Sequence, residues 1–134
     1  MLFIKIVIAA FVLLFPVWDL FWHLLGIRHI YPWELKKVSS KDLPFVIDVR
    51  LTSEFRLFHL EKSVNRPDLI TNKKSLPFSE DQPVLVVSQT GHRSIITTRK
   101  LKKMGYKNVF NLALGLVGWK MFGGKTVSGS GMHE

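Results

Sequence analysis

The 134-residue chain contains no cysteine. Disulfides, thiolate metal sites and persulfide carriers are thereby excluded. The redox compartment stays open, because a chain without thiols suits an oxidising or a reducing space. Acidic residues are scarce: 10 Asp and Glu stand against 19 Lys and Arg, giving a formal net charge of +9. That balance favours anionic partners, namely lipid headgroups, nucleic acid or small oxyanions. Nucleic acid is not the expected partner, since no known motif and no interleaving of basic with aromatic residues accompanies the charge. His59 has no second histidine or carboxylate at metal-ligand spacing, so it reads as a packed structural histidine. Neither a metal nor a cofactor is expected.

What is abundant is apolar sequence, and it is unevenly placed. From Ile6 to Leu25 only Pro16, Asp19 and His23 interrupt an apolar run. A helix of that length spans roughly 30 Å, the hydrocarbon thickness of a bilayer. Lys5 followed by Ile6–Phe15 would also suit a signal peptide, but Pro16, Val17, Trp18 and Asp19 follow in place of a small-x-small cleavage pattern. Residues 1–27 are therefore expected to be an uncleaved, single-pass transmembrane anchor. Asp19 and His23 share one side of that helix, and with Trp18, Trp22 and Trp33 they suit an interfacial belt. Arg28, Lys36, Lys37 and Lys41 outnumber Lys5 across the span, which places the following domain in the cytoplasm.

The remainder divides into a domain over residues 28–122 and a Gly- and Ser-containing tail over 123–134, expected to be flexible. Tyr31-Pro32-Trp33-Glu34-Leu35-Lys36-Lys37 predicts a short helix with proline in its first turn. Phe45–Arg50 predicts a buried strand, and Thr52 or Ser53 is placed to cap a helix over Glu54–Leu60. A loop containing Pro67, Asn72 and Pro77 leads to a strand at 84–87. The helix predicted from Arg93 to Met104 puts Ser94, Thr98, Leu101 and Gly105 on one stripe, with Arg99, Lys100 and Lys103 opposite. Val109–Leu112 is a last strand before a helix around Trp119. Strands and helices alternating at these lengths predict an α/β domain, a parallel sheet with helices on both faces.

The segment Pro83–Ser94 stands apart. An apolar run with β-branched residues ends in Ser88-Gln89-Thr90-Gly91-His92, and a helical pattern opens at Arg93 and Ser94. A strand feeding a tight loop and a helix N-terminus gathers backbone N–H groups around an anion. This loop, and the order of elements over about residues 29–122, resembles the single-domain rhodanese (sulfurtransferase) family. The resemblance is carried by Pro32 to Leu35, by Asp48-Val49-Arg50 with Glu54, and by His59 with Asn65-Arg66-Pro67. Gly91, Arg93 and Ser94 match in the loop; Gly105-Tyr106, Val109, Gly115 and Trp119 match beyond it. Four positions depart from the pattern: Ser88 stands where the family has its cysteine, Phe58 and Lys62 replace glycines, and Leu114 replaces the first of two late glycines. Lysine does not accept positive φ cheaply, so position 62 is expected to take a different backbone path.

The family cysteine works as a thiolate that attacks a sulfane sulfur and carries it as a persulfide. A serine hydroxyl stays protonated in such a loop without a dedicated base, and oxygen cannot form the exchanged S–S bond. The resemblance thus implies a catalytically silent, membrane-anchored module. It is expected to bind a small oxyanion (thiosulfate, sulfate or phosphate) through Ser88, Gln89, Thr90, Gly91, His92, Arg93 and Ser94, or to dock a protein at the membrane surface. Asp48, Arg50 and His59 would support the site, the first two as an ion pair at the strand end. The alternative is an enzyme, either a sulfurtransferase relative that lost its cysteine or a hydrolase using Ser88 with His92 as base. A hydrolase would further need an orienter for that base and an oxyanion hole.

Overall fold

In the computed structural model, which describes residues 1–70, 76 and 79–130, the three strongest apolar runs pair as parallel neighbours. Asn72 and Pro77, and the last four residues of the tail, lie outside the described residues. In chain order the elements are α1 (Leu2–Leu24), β1 (Arg28–Ile30), α2 (Pro32–Leu35), β2 (Phe45–Asp48), α3 (Thr52–Leu57), β3 (Val64–Asn65), a 3-10 turn (Pro67–Ile70), β4 (Val84–Val87), α4 (Arg93–Lys103), β5 (Val109–Leu112) and α5 (Gly115–Met121). The sheet is parallel throughout, in the order β1-β5-β4-β2-β3. Strand alternation sends Ile47, Val84, Val86 and Val109 to one face against Leu101 of α4. Val46, Leu85, Val87 and Leu112 go to the other, against Leu35 of α2 and Leu116 of α5. A sheet covered on both faces requires apolar residues at consecutive positions, which is why β4 reads as an unbroken run.

Two strands escape the sequence pattern. β1 carries Arg28 and His29, and β3 is two residues long, so neither offers an apolar signal; both exist through pairing, with β5 and β2 respectively. β2 stops at Asp48, two residues short of Arg50, because the Asp48 carboxylate accepts the Arg50 N–H at 3.0 Å and turns the chain. The α3 helix starts at Thr52 and ends at Leu57, not over Glu54–Leu60. Its first turn is capped by Glu54, whose Oε2 accepts the Leu51 N–H at 2.8 Å, and Thr52 donates its hydroxyl to Asn65 Oδ1 instead.

The first part of the tail pairs with the domain. His59 and Val127 exchange backbone hydrogen bonds of 2.8 and 2.9 Å, the Gly129 N–H donates to the Arg56 carbonyl, and Trp119 Nε1 donates to the Lys125 carbonyl. Backbone pairing, which composition does not reveal, ties 123–129 to the domain.

The α1 helix is long and apolar enough to cross a membrane, and none of its residues is buried. It ends in a Schellman turn: Gly26, at φ +80, donates to the His23 carbonyl, and Ile27 donates to that of Trp22. Ile27 is buried behind the turn, and the chain reverses into β1. Tyr31 donates its hydroxyl to Asp19, and Lys102 of α4 donates to the Gly26 carbonyl. Burial first, and then the Asp19 hydrogen bond, push the Tyr31 hydroxyl up to about 12.

Lys62 does not take another path. It sits at φ +65, in the left-handed region, as Leu114 does at φ +64. Leu114 is accommodated because Gly118 leaves its space empty; a Cβ on Gly118 would lie 2.4 Å from that of Leu114. Lys62 is exposed, and its left-handed backbone costs about 1 kcal/mol. Lys62→Gly is expected to raise unfolding stability by up to ~1 kcal/mol in denaturant titration, after the entropic penalty of glycine. A loss of stability would show that the lysine side chain contributes more than its backbone costs.

Candidate functional site

The strand order changes direction between β2 and β4, and the loop after β4 lies in the crevice at their C-terminal ends, where open α/β sheets bind ligands. The α5 N-terminus shapes this loop. Leu116 and Val117 donate their N–H groups to the carbonyls of Ser88 and Gln89, both at 3.0 Å. Gly115 permits the contact, since a Cβ there would lie 2.5 Å from the Gln89 carbonyl oxygen. In trans peptides the N–H points opposite its carbonyl, so the N–H groups of Gln89 and Thr90 are turned away from α5. Neither has a hydrogen-bond partner among the described residues.

Ser88 follows the alternation of Val84 and Val86 toward α4, and its side chain is part of a buried chain of hydrogen bonds. Ser94 donates to Asn111 Oδ1 and lies 2.9 Å from Ser88 Oγ. Ser94 has one proton, so Ser88 is the donor between the two hydroxyls. Ser88 Oγ in turn accepts the Gly91 N–H at 3.1 Å. The amide of Asn111 continues the chain, donating to the Gly91 carbonyl and to His29 Nδ1. Burial is the main cause that lowers the His29 pKa, and it favours the neutral ring that this acceptor role requires; Asp19 opposes it. With 1% exposure and its proton directed inward, Ser88 is a structural hydroxyl.

The structure does not join Ser88 to His92. His92 is exposed, and its Nδ1 meets Thr90 Oγ1 at 2.9 Å. Arg93 turns to Glu54 with Nη2 at 3.0 and 3.2 Å from the two carboxylate oxygens, so its charge is compensated before any ligand arrives. This hydrogen bond is the main cause that holds the Glu54 carboxyl below its usual range.

Arg50 is fully buried and bonded through all three of its side-chain nitrogens. It bonds both Asp48 oxygens, the Gln89 Oε1 at 3.0 Å and the Phe58 carbonyl, and its guanidinium lies 5.0 Å from the Phe58 ring centre. Phe58, at φ −165, is extended and needs no glycine; its ring is shared with Lys120 Nζ at 4.1 Å. His59 stacks on Phe55 and holds the Phe55 carbonyl through Nδ1 at 2.8 Å. Thus Asp48, Arg50 and Gln89 meet, Ser88, Gly91 and Ser94 meet, and Arg93 and His92 face other partners.

Two residues of the site were not singled out from sequence. Asn111 joins the loop to β5, and its signal was a lone amide inside the buried run Val109–Leu112. Glu54 was recognised as part of a motif, but its bond to Arg93 needs the fold.

A parallel sheet with a loop and helix N-terminus at its switch point defines an α/β domain built around a polar cradle. The chain belongs to the rhodanese-like domain family, whose description matches residues 32–122. It is 33% identical over 89 residues to the uncharacterized protein YibN of Escherichia coli, covering 64% of this chain and 62% of that one. It is 30% identical over 84 residues to the putative sulfur carrier protein YrkF of Bacillus subtilis, covering 63% of this chain and 45% of that protein. The match to the adenylyltransferase and sulfurtransferase uba4 of Ogataea parapolymorpha, 26% identical over 86 residues, takes in 63% of this chain and 22% of that protein. The chain thus spans less than half the length of these last two relatives. Among solved structures, a rhodanese-related protein from Thermoplasma volcanium superposes with a TM-score of 0.64 at 24% identity, over 75% of this chain and 97% of that one.

The Glu54–Arg93 pair is about one-third exposed on both sides, at 32% and 39%, and is worth about 1 kcal/mol or less. Because the Glu54 carboxyl is lowered, that contribution is present above the ordinary carboxylate value of about 4.3 and is lost as pH falls through the lowered one. Glu54→Gln is expected to lower the melting temperature at pH 7 and to flatten its decline below about pH 4. Equal acid slopes in variant and parent would remove the pair from the stability of this site.

Proposed function

We propose that this chain is a membrane-anchored rhodanese-like module without sulfur-transfer activity of its own, whose loop binds a small oxyanion weakly. The observation that carries the reading is Ser88 itself: the hydroxyl at the nucleophile position is buried and bonded to Ser94 and Gly91, with no base bonded to it among the described residues. Relatives bear the names sulfurtransferase and sulfur carrier, but sulfur carriage as a persulfide needs a thiol, and this sequence has none.

Binding rests on the Gln89 and Thr90 N–H groups and on the first turn of α4. Helix-terminus contributions are about 0.3–1 kcal/mol at exposed sites, and Arg93 is already paired, so a single oxyanion is expected to bind with a Kd of ~1 mM or weaker. The apolar α1 supports the anchor, and Arg28, Lys36, Lys37 and Lys41 after it support a cytoplasmic domain.

A cyanide–thiosulfate sulfurtransferase assay is expected to give no turnover above buffer with the native chain. Ser88→Cys is expected to acquire one sulfur atom by intact-mass measurement after thiosulfate, since Gly91 and Ser94 remain to hold a thiolate. Native turnover would sink the reading. In the same preparation, amide shifts at Gln89 and Thr90 are expected to move on adding thiosulfate, sulfate or phosphate; shifts spread over the lysine-rich surface instead would leave only diffuse charge attraction. Alkaline extraction is expected to leave the full-length chain with the membranes.

A further inference from the structure

The Schellman turn at Gly26 decides which end of the domain α1 flanks. A straight continuation would carry the helix away from the start of β1. The reversal instead lays it back beside the sheet, held by the Tyr31–Asp19 and Lys102–Gly26 hydrogen bonds. Since all strands run the same way, α1 passes the end that carries the loop. A groove of about 1030 Å³ opens there between Phe11 and Phe15 of α1 and Leu114, Val117, Met121 and Phe122 of the domain, with Thr90 and His92 at its edge.

The walls of this groove are apolar and open. Met121 is 78% exposed, Phe122 45% and Val117 39%, and Trp33 packs edge-on against Phe122 with ring centres 5.1 Å apart. Lys36, bonded to the Phe122 carbonyl, and Lys120 flank the patch. Among the groove-lining residues the one carboxylate, Asp19, is engaged by Tyr31. The opposite end of the sheet is different, with Glu80, Asp81, Lys103 and Lys107 exposed around the strand starts.

From this we infer that the loop-bearing end of the domain is seated in the headgroup layer of the membrane, with lipid acyl chains occupying the groove beside α1. The inference rests on the anchor reading above and adds the orientation of the domain. Bilayer lipid is the occupant that the geometry favours, because the groove has the candidate membrane helix as one wall and is continuous with its exposed apolar surface. Apolar side chains flanked by lysines also match the layered chemistry of a leaflet, whose headgroups meet cations while its chains meet apolar groups. The loop then faces the bilayer surface, and its oxyanion would be met at the headgroup level.

Absence of cysteine makes the test clean, since each engineered thiol is the sole label site. Met121→Cys, Val117→Cys, Lys107→Cys and Val7→Cys are made in the full chain, labelled with a nitroxide and reconstituted in phosphatidylcholine vesicles with and without phosphatidylglycerol. Collision with molecular oxygen and with a water-soluble nickel chelate is then read by electron paramagnetic resonance. Labels at 121 and 117 are expected to favour oxygen over nickel several-fold more than the label at 107, in the same sense as the label at 7. Labels at 121 and 117 that behave as the one at 107, while 7 is in lipid, would overturn the seating and leave the anchor standing. Labels shielded from both reagents would also overturn it, in favour of a protein contact on this face. A label at 7 exposed to nickel would instead bring down the anchor reading, and the seating with it.

Discussion

A fully buried guanidinium holds this domain's functional end together. Arg50 has no contact with water, and burying a charge is tolerable only when its donors are bonded and a counter-charge stands beside it. Asp48 at the strand end supplies the counter-charge, and the other bonded donors reach two further segments: the exit of α3 at Phe58 and the loop at Gln89. Each segment must be in place for the charge to be satisfied. The pair therefore acts less as a source of stability than as a condition that one arrangement of strand end, helix exit and loop meets. Phe58 extends the same logic, presenting a ring face to Arg50 and to Lys120 where a glycine would present none.

The other unusual residues are accommodated by neighbours. Leu114 occupies a left-handed conformation, and the bare Gly118 takes its side chain. Ser88 is a link in a buried chain: its hydroxyl donates to Ser94, that of Ser94 donates to Asn111 Oδ1, and the Asn111 amide reaches Gly91 and His29. A thiol is a weak donor and a poor substitute in such a chain.

Much of the fold was legible because burial on both faces of a parallel sheet writes itself as continuous apolar runs. Phe45–Ile47 and Val84–Val87 are such runs, Val109–Leu112 is broken only by Asn111, and the loop between β4 and α4 was bounded by them. β1 and β3 were not, since Arg28, His29 and Asn65 are strand residues by pairing alone. The site was legible in its loop and in the Asp48–Arg50 pair. Its partners were hidden, because Glu54 lies 39 residues from Arg93 and Asn111 lies 17 from Ser94. Hydrogen bonds across such separations leave no spacing to recognise. The docking of Val127 on His59 was hidden for the same reason, behind a composition that suggests a loose end.

The pairing of β1 with β5 sets the order in which the chain can assemble. Arg28 emerges early in synthesis and its partner Phe110 late, with β2, β3 and β4 made between them. Through most of translation β1 is therefore without its pairing partner. The sheet's outer border closes near the end, when β5 slots between β1 and β4, and Val127 must follow before His59 is covered. Contacts this distant in sequence slow the search for the native topology. A nascent chain halted before β5 would hold α1 and four strands without the one that joins β1 to β4, a species with exposed edges at the site of its own synthesis.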